Sequence, residues 1–434
     1  MRFIAIRIWA LMAYFASFLG LAALATPAVA QVDNTTTAGG LRIGARIMHV
    51  TTLEDGGPGS LRQAIVSPGA RIIVFDVAGY IELRSNLTIV SGNLTIAGQS
   101  APSPGIVLRG GTVQIRASDV EIENIAVYAG QGPAGASDER DALNVYGKVS
   151  KGEYLQRIVL RNVSLGWGVD ENLSLNGLVD GVRIESSLLS EGLKFGGHSK
   201  GLHSMNLLLG TEVKRVLLLG NIMADANQRN PRLTNGNQVS MLNNLIYNFG
   251  ARATHLDLNK EAKGAARIDI IGNSYIRGRD SNCKAPIVTL GRGFFDSEPP
   301  SHVFMADNQE LGADSCKRAP ASEGGDRLEA QPLQAVPGWT ILRGKDVYPS
   351  ILQRAGSRPA DRNPIDARIL RDIAEGKGLI PDVEEQVGGW PAIDRNFHPA
   401  EIGFSLIQTD DELRAVRSML CRMRKSVGAS GSSC

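Results

Sequence analysis

Between Arg71 and about Arg277 the chain repeats one local pattern, a strand-length apolar run closed by a small or polar residue. Ile72-Ile73-Val74-Phe75, Leu94-Thr95-Ile96, Val120-Glu121-Ile122, Ile158-Val159-Leu160, Val182-Arg183-Ile184, Val216-Leu217-Leu218-Leu219 and Ile268-Asp269-Ile270-Ile271 are examples. Each is rich in β-branched residues or Leu and is bounded by Gly, Asn, Asp or Ser, which is how strands and their turns read. No long helical pattern interrupts them, and this argues against an alternating βα fold.

The residues that end these runs recur. Asn124, Asn162, Ser187, Asn221, Asn244 and Asn273 follow one another at intervals of 23 to 38 residues. Repeats of that length mean a solenoid or a propeller. An Asn at each bend suits a right-handed parallel β-helix, where it adopts the left-handed conformation and hydrogen-bonds to the Asn of the next coil. An ordinary β-sandwich with Asn in its turns is the alternative, and the repeat favours the solenoid. The expected class is therefore all-β, a right-handed parallel β-helix with a C-terminal loop and helical extension.

Helix is expected only in the last ninety or so residues. Asn363-Pro364-Ile365 opens a segment with apolar residues at helical spacing through Ile373. Asp410-Asp411-Glu412 opens a second helix running to about Lys425, acids first and bases last, as the helix dipole prefers. Segment 283–345 is rich in Pro, Gly and Ser and is expected to be loop. At the other end, Arg2 and Arg7 precede an uncharged apolar stretch from Ile8 to Ala25, and Ala28-Val29-Ala30 fits a signal cleavage site before Gln31. An uncleaved membrane anchor is the alternative. The expected organisation is a signal peptide over 1–30, a linker over 31–48, the β-helix over 49–345 and the C-terminal extension over 346–434.

Apolar residues make up 43% of the chain, enough for a large core, which excludes wholesale disorder. The 46 Lys and Arg residues balance the 44 Asp and Glu once Arg2 and Arg7 of the leader are set aside, so a globally basic nucleic-acid binder is not expected. Cys283, Cys316, Cys421 and Cys434 show no CxxC spacing, which argues against zinc. In an exported chain their even number permits disulfides, with three pairings open and free thiols the alternative.

Two charged groups stand out. Asp138, Glu139 and Asp141 lie close together and Asp170-Glu171 follows some coils later. In a solenoid these can meet on one face, where clustered carboxylates suit Ca²⁺; a solvated acidic loop is the alternative. Gln228-Arg229-Asn230-Pro231-Arg232 holds two guanidiniums on a backbone stiffened by Pro, suited to gripping carboxylates. His198 and His203 read as packing or hydrogen-bonding residues, and Trp167 as a core residue.

Several ordered motifs together resemble the pectate lyases of polysaccharide lyase family 1. They are Gly57-Pro58-Gly59-Ser60-Leu61-Arg62-Gln63-Ala64, Ile73-Val74-Phe75-Asp76-Val77-Ala78-Gly79 and Leu94 to Pro102. Further on come Trp167-Gly168-Val169-Asp170-Glu171-Asn172, His198-Ser199-Lys200-Gly201, Arg229-Asn230-Pro231-Arg232-Leu233 and Val387-Gly388-Gly389-Trp390-Pro391. The resemblance implies a calcium-dependent cleft on one face of the β-helix. It implies Asp141, Asp170 and Glu171 as the calcium acids, Arg229 as catalytic base, and Lys200 and Arg232 as substrate-binding cations. It further implies cleavage of an acidic polysaccharide, pectate (polygalacturonate), by β-elimination, in a monomer that is secreted or periplasmic and free of the membrane once the signal is removed. Because only on the order of 10⁻⁵ or less of an unperturbed arginine is neutral at pH 7, an alkaline optimum is expected.

The chain departs from the family at Arg161-Asn162-Val163-Ser164, Leu219-Gly220-Asn221, Glu123 to Tyr128 and Thr234. These departures are expected to alter part of the substrate-binding shell. A non-catalytic carbohydrate-binding β-helix, a lyase for another uronate polymer and a purely structural solenoid are the rival readings.

Overall fold

The structure is a computed structural model and describes residues 39–132, 139–148, 152–312 and 327–429, with the backbone of Ala30–Gln31. The signal segment, Asp138, Cys316 and Cys434 lie outside the described residues.

The chain winds through three sheets in a fixed order, coil after coil. The first, ten-stranded sheet runs from Arg46–Val50 and Arg71–Phe75 to His302–Ala306. The second, also ten-stranded, runs from Val77–Glu82 to Gln309–Leu311, and Asn396–Phe397 adds an antiparallel strand at its edge. The third has eight strands, from Leu87–Ile89 to Val288–Leu290. One coil reads Leu155–Arg161, Ser164–Gly166, Glu171–Gly177, and each of its strands pairs in parallel with the strands of the coils before and after. This is the right-handed parallel β-helix that the repeat predicts.

Register makes the core. Leu94, Val120, Ile158, Val182, Val216, Val239, Ile268 and Val303 occupy one position in successive coils, all buried. Each aliphatic side chain removed from water contributes roughly 1.5–3 kcal/mol. A one-residue slip would turn the whole column outward, so the register is strongly fixed.

The corner between the first and second sheets divides two tasks that the sequence pattern assigns to one Asn. Asn124, Asn162, Ser186, Gly220, Asn243 and Gly272 take the left-handed conformation, with φ between 47° and 62°. The residue after each is the one that stacks. The backbone N–H of Ser187 donates to Asn221 Oδ1 at 2.9 Å, that of Asn221 to Asn244 at 2.9 Å, and that of Asn244 to Asn273 at 2.8 Å. Asn162 and Asn243 instead point their amides at the C-terminal segment, donating to Arg354 O at 2.7 Å and Leu342 O at 2.8 Å. Asn124 and Asn162 therefore belong to the turning column, and Ile125 and Val163 fill the stacking position in their coils.

Two expectations need correction. Segment 283–345 is not all loop, since Val288–Leu290, His302–Ala306 and Gln309–Leu311 continue the three sheets and leave Pro and Gly to the connections. A helix also occurs early. Helix α1, Leu61–Val66, is capped by the Ser60 side chain and buries Leu61, Ala64 and Ile65 over the first coils. At six residues it is too short to show a helical period. Fully buried Arg71 holds its C-terminal end, donating from Nε to Ala64 O at 3.1 Å.

The C-terminal segment carries α2 (Gly344–Ile351), α3 (Pro364–Ala374) and α4 (Asp410–Ser426). Ile365, Ile369 and Ile373 of α3 pack with Val107, Ala126 and Tyr128 of the second sheet. Val416 and Leu420 of α4 pack on Ile72, Val74 and Ala97 of the first sheet, where Arg424 also reaches Glu123 at 2.7 Å. Among the described residues no helix is long and apolar enough to cross a membrane. Neither described cysteine, Cys283 or Cys421, is free.

The ladder makes a stability prediction. Asn244→Ala strands the backbone N–H of Asn221 and takes away the amide that donates to the buried Leu218 carbonyl. The expected loss is about 3 kcal/mol, read as a lower midpoint of chemical denaturation with an unchanged slope.

Candidate functional site

The acids and bases singled out in the sequence come together where the chain enters the third sheet. Asp141 precedes strand Leu143–Gly147, Asp170 and Glu171 open Glu171–Gly177, and Arg229 lies just ahead of Arg232–Thr234. Parallel pairing stacks these strand starts, so residues far apart in sequence become neighbours. One carboxylate oxygen from each of Asp141, Asp170 and Glu171 lies within 4.8 Å of the others. The Arg229 guanidinium contacts Glu171 Oε1, with Asp170 Oδ1 at 4.0 Å.

Each member is held differently. Asp141 is buried and accepts from Ser174 Oγ at 2.6 Å, Asn144 Nδ2 at 3.2 Å and the Glu171 backbone N–H at 3.0 Å. Burial nonetheless pushes its carboxyl up to about 7, with the nearby Asp170 adding to the rise. Asp170 is also pushed up by burial, but its hydrogen bond with His203 and the charges of His203, Arg229 and His198 outweigh this and hold it below the usual carboxylate range. Burial lowers Arg229 from the usual arginine value, and the neighbouring Arg232 lowers it further, against the opposing pull of Asp170.

Arg229 takes the left-handed conformation, φ 59°, uncommon for a residue with a side chain. A second Asn ladder fixes it there. Asn172 Nδ2 donates to Asn206 Oδ1 at 3.1 Å, Asn206 Nδ2 to Asn230 Oδ1 at 3.0 Å, and Asn230 Nδ2 to Arg252 O at 3.1 Å. Arg232 lies on the outward row of the third sheet and donates from Nε to Asp257 Oδ2 at 3.1 Å. Lys200 stands apart from this contact group, exposed on the turn between Lys194 and His203.

His203 Nε2 bonds Asp170 Oδ1 at 2.7 Å, and its ring stacks on that of His198 with centroids 3.7 Å apart. His198 Nδ1 accepts from the Lys200 backbone N–H at 3.1 Å, so in the neutral ring Nε2 carries the proton and offers no lone pair toward Asp170. The two rings thus pack on each other and hydrogen-bond to Asp170 and to the Lys200 backbone. Trp167 is fully buried and donates to Glu191 Oε2 at 2.8 Å, a core residue rather than a sugar platform.

The departures do not fall where they were expected. Arg161 joins Glu121 and Glu123 in an ion-pair network under α4 on the first sheet. Gly220-Asn221 is a corner of the Asn ladder, and Thr234 is buried beside Asn237. Arg161 and Gly220-Asn221 serve the scaffold, away from the strand starts that gather the acids, while Thr234 shares the third-sheet strand of Arg232 but is buried. The sequence reading missed Asp257, His203 as partner of Asp170, and the second ladder. The ladder left a signal, since Asn172, Asn206 and Asn230 follow within one residue the coil spacing of Ser187, Asn221 and Asn244.

Comparison with known proteins agrees with this geometry. The chain is 30% identical over 372 residues to a protein of Aspergillus flavus named probable pectate lyase C, covering 84% of this chain and 81% of that one. It is 34% identical over 355 residues to a protein of the same name from Aspergillus fumigatus, covering 79% and 76%. No family model matches the chain. Among solved structures, the cedar pollen allergen Jun a 1 superposes with a TM-score of 0.52 at 17% identity, over 74% of this chain and 92% of that one, a likeness of fold. The chain belongs to the pectate lyase family, whose members are polysaccharide lyases.

Asp141 makes stability depend on pH in a stated direction. A carboxyl raised from 3.8 unfolded to about 7 folded binds its proton more tightly in the folded state. The stability it confers is present at low pH and is lost as pH rises through that window. In chelator-treated protein, Asp141→Asn is expected to flatten the fall in thermal midpoint seen in the wild type between those two pH values.

Proposed function

We propose that the chain cleaves pectate by calcium-assisted β-elimination. The observation that carries this reading is the meeting of Asp141, Asp170 and Glu171 with the Arg229 guanidinium, in a chain of the pectate lyase family. The donor set fits the ion. All three residues offer hard oxygen, a set suited to calcium rather than to a softer metal, and one oxygen from each lies close enough to the others to share an ion. Calcium, when bound by these three acids, neutralises a uronate carboxylate and acidifies the proton on C5.

The chain's own residues do the rest. Arg232 and Lys200 grip uronate carboxylates, and Arg229 takes the C5 proton. The electron pair of the C5–H bond becomes the C4–C5 double bond as the C4–O bond breaks, leaving an unsaturated sugar end. Burial and Arg232 favour the neutral guanidine that this step needs. A secreted or periplasmic location, a mature start near Gln31, disulfides among the four cysteines and a monomeric state belong to the same proposal. It is supported by the apolar leader and by the absence of a free thiol at Cys283 and Cys421.

Polygalacturonate at alkaline pH is expected to yield unsaturated products, followed by absorbance, and a chelator is expected to stop the reaction. A product lacking the double bond would sink the elimination. Asp141→Asn and Asp170→Asn are each expected to raise the calcium requirement by about tenfold or more while the fold persists; wild-type dependence in both would remove the ligand assignment.

Arg229→Lys keeps a cation but displaces the accepting nitrogen. It is expected to lower kcat by at least about a hundredfold with KM little changed. Arg232→Lys is expected to act on KM. The opposite split would exchange the two roles.

A further inference from the structure

Beside the carboxylate cluster lies a cavity of about 610 Å³, within the roughly 300–1,000 Å³ range of small-molecule sites. Arg140 forms a wall common to both. Its side chain lines the cavity, and its backbone carbonyl accepts from the N–H groups of Val169 at 2.8 Å and Asp170 at 3.2 Å. The cavity therefore lies toward the N-terminal end from the acids, within reach of a polymer that runs along the coils from the site.

Its chemistry differs from that of the site. Among the described residues, Arg84, Arg109 and Arg140 line it together with Glu82, Glu139 and Glu384, three guanidiniums to three carboxylates. Two of the guanidiniums are engaged within the wall: Arg109 donates to Glu82 Oε2 at 2.7 Å and Arg140 to Gly130 O at 2.9 Å. A uronate carboxylate entering here would lose its hydration and meet as many carboxylates as guanidiniums. An uncharged sugar unit meets donors and acceptors on both sides and the indole of Trp390. That indole belongs to the C-terminal segment. It stands edge-on to Trp167 at 4.7 Å, lies under the Arg109 guanidinium at 5.2 Å, and presses so close to Gly130 that a Cβ there would lie 2.8 Å from its ring.

We propose that this cavity is a subsite for an uncharged sugar unit, so that the polymer cleaved at the neighbouring site carries a neutral residue, such as a methyl-esterified uronate, alongside the acidic ones. The sugar class rests on the lyase reading; the preference for a neutral unit rests on the cavity alone.

The test is a calorimetric titration of the full chain with two probes, fully methyl-esterified trigalacturonate and its de-esterified form. Ser85 is exposed on the lining, and Ser85→Trp fills the space without touching the core. The variant is expected to weaken the esterified trimer by about tenfold or more and the acidic trimer by less than about twofold. Trp390→Leu, with its folding checked by circular dichroism, is expected to follow the same split. No binding of the esterified trimer to wild type, or equal effects of Ser85→Trp on the two probes, would overturn the proposal. Failure of the lyase reading is separate: it would appear as no unsaturated product from polygalacturonate in wild type, with the binding split intact.

Discussion

A single left-handed residue at each corner between the first and second sheets lets the chain turn without changing its rise of about 4.8 Å per coil. That constancy is what allows one column of aliphatic residues to stack through eight register positions. It also puts the residue after each turn directly above its counterpart. An Asn there can donate to the Asn of the adjacent coil and to a buried carbonyl, and so pairs backbone groups that strand hydrogen bonds leave over. The cost of the left-handed conformation is small for Asn and absent for Gly, and these fill five of the six corners named above, with Ser186 at the other.

The site depends on the same repetition but uses it for strain and charge. Three carboxylates gathered in a buried place repel one another, and burial keeps Asp141 partly protonated at neutral pH. Arg229 offsets that charge, yet it does so from a backbone conformation costing on the order of 1–3 kcal/mol. Asn230, anchored in its own ladder, holds the backbone beside it in place. The ladder that stabilises one corner of the β-helix thus has a counterpart that positions a reactive side chain at another. A scaffold of stacked turns can fix a charged residue within a fraction of an ångström because every rung constrains the next.

How much of this was legible in the sequence follows from range. The strands and the coil were legible because apolar runs and their closing residues recur locally, and the acids and Arg229 stood in compact motifs. The division of labour between Asn162 and its neighbour Val163 was not, because one-residue register is set by the corner's backbone and not by residue type. Asp257 beside Arg232 and His203 beside Asp170 were hidden for another reason. Each contact joins different coils, and the loop lengths that decide which coil meets which show no pattern of their own. The role of Arg161 was misplaced on the same ground: its partners Glu121 and Glu123 lie one coil away, and Arg424, which also holds Glu123, comes from the far end of the chain.

The C-terminal segment gives the three-sided coil its single working face. The second sheet turns Val107, Ala126, Tyr128 and Ile222 outward, and α2 and α3 bury them. The first turns out Ile72 and Val74, and α4 buries those. The outward row of the third sheet is different: Gln114, Asn144, Ser174, Leu208, Arg232, His255 and Thr289, polar apart from Leu208. An apolar outer face needs a cover and a polar one does not. The distribution of side chains over the three faces therefore decides where the helices settle and, by the same act, leaves the strands that carry Asp141, Glu171 and Arg232 facing solvent. The cover then reaches the rim of that face through Glu384 and Trp390. In this way a segment whose first task is to bury the second sheet also walls the space next to the acids, and its sequence is constrained by packing on one side and by whatever enters the cavity on the other.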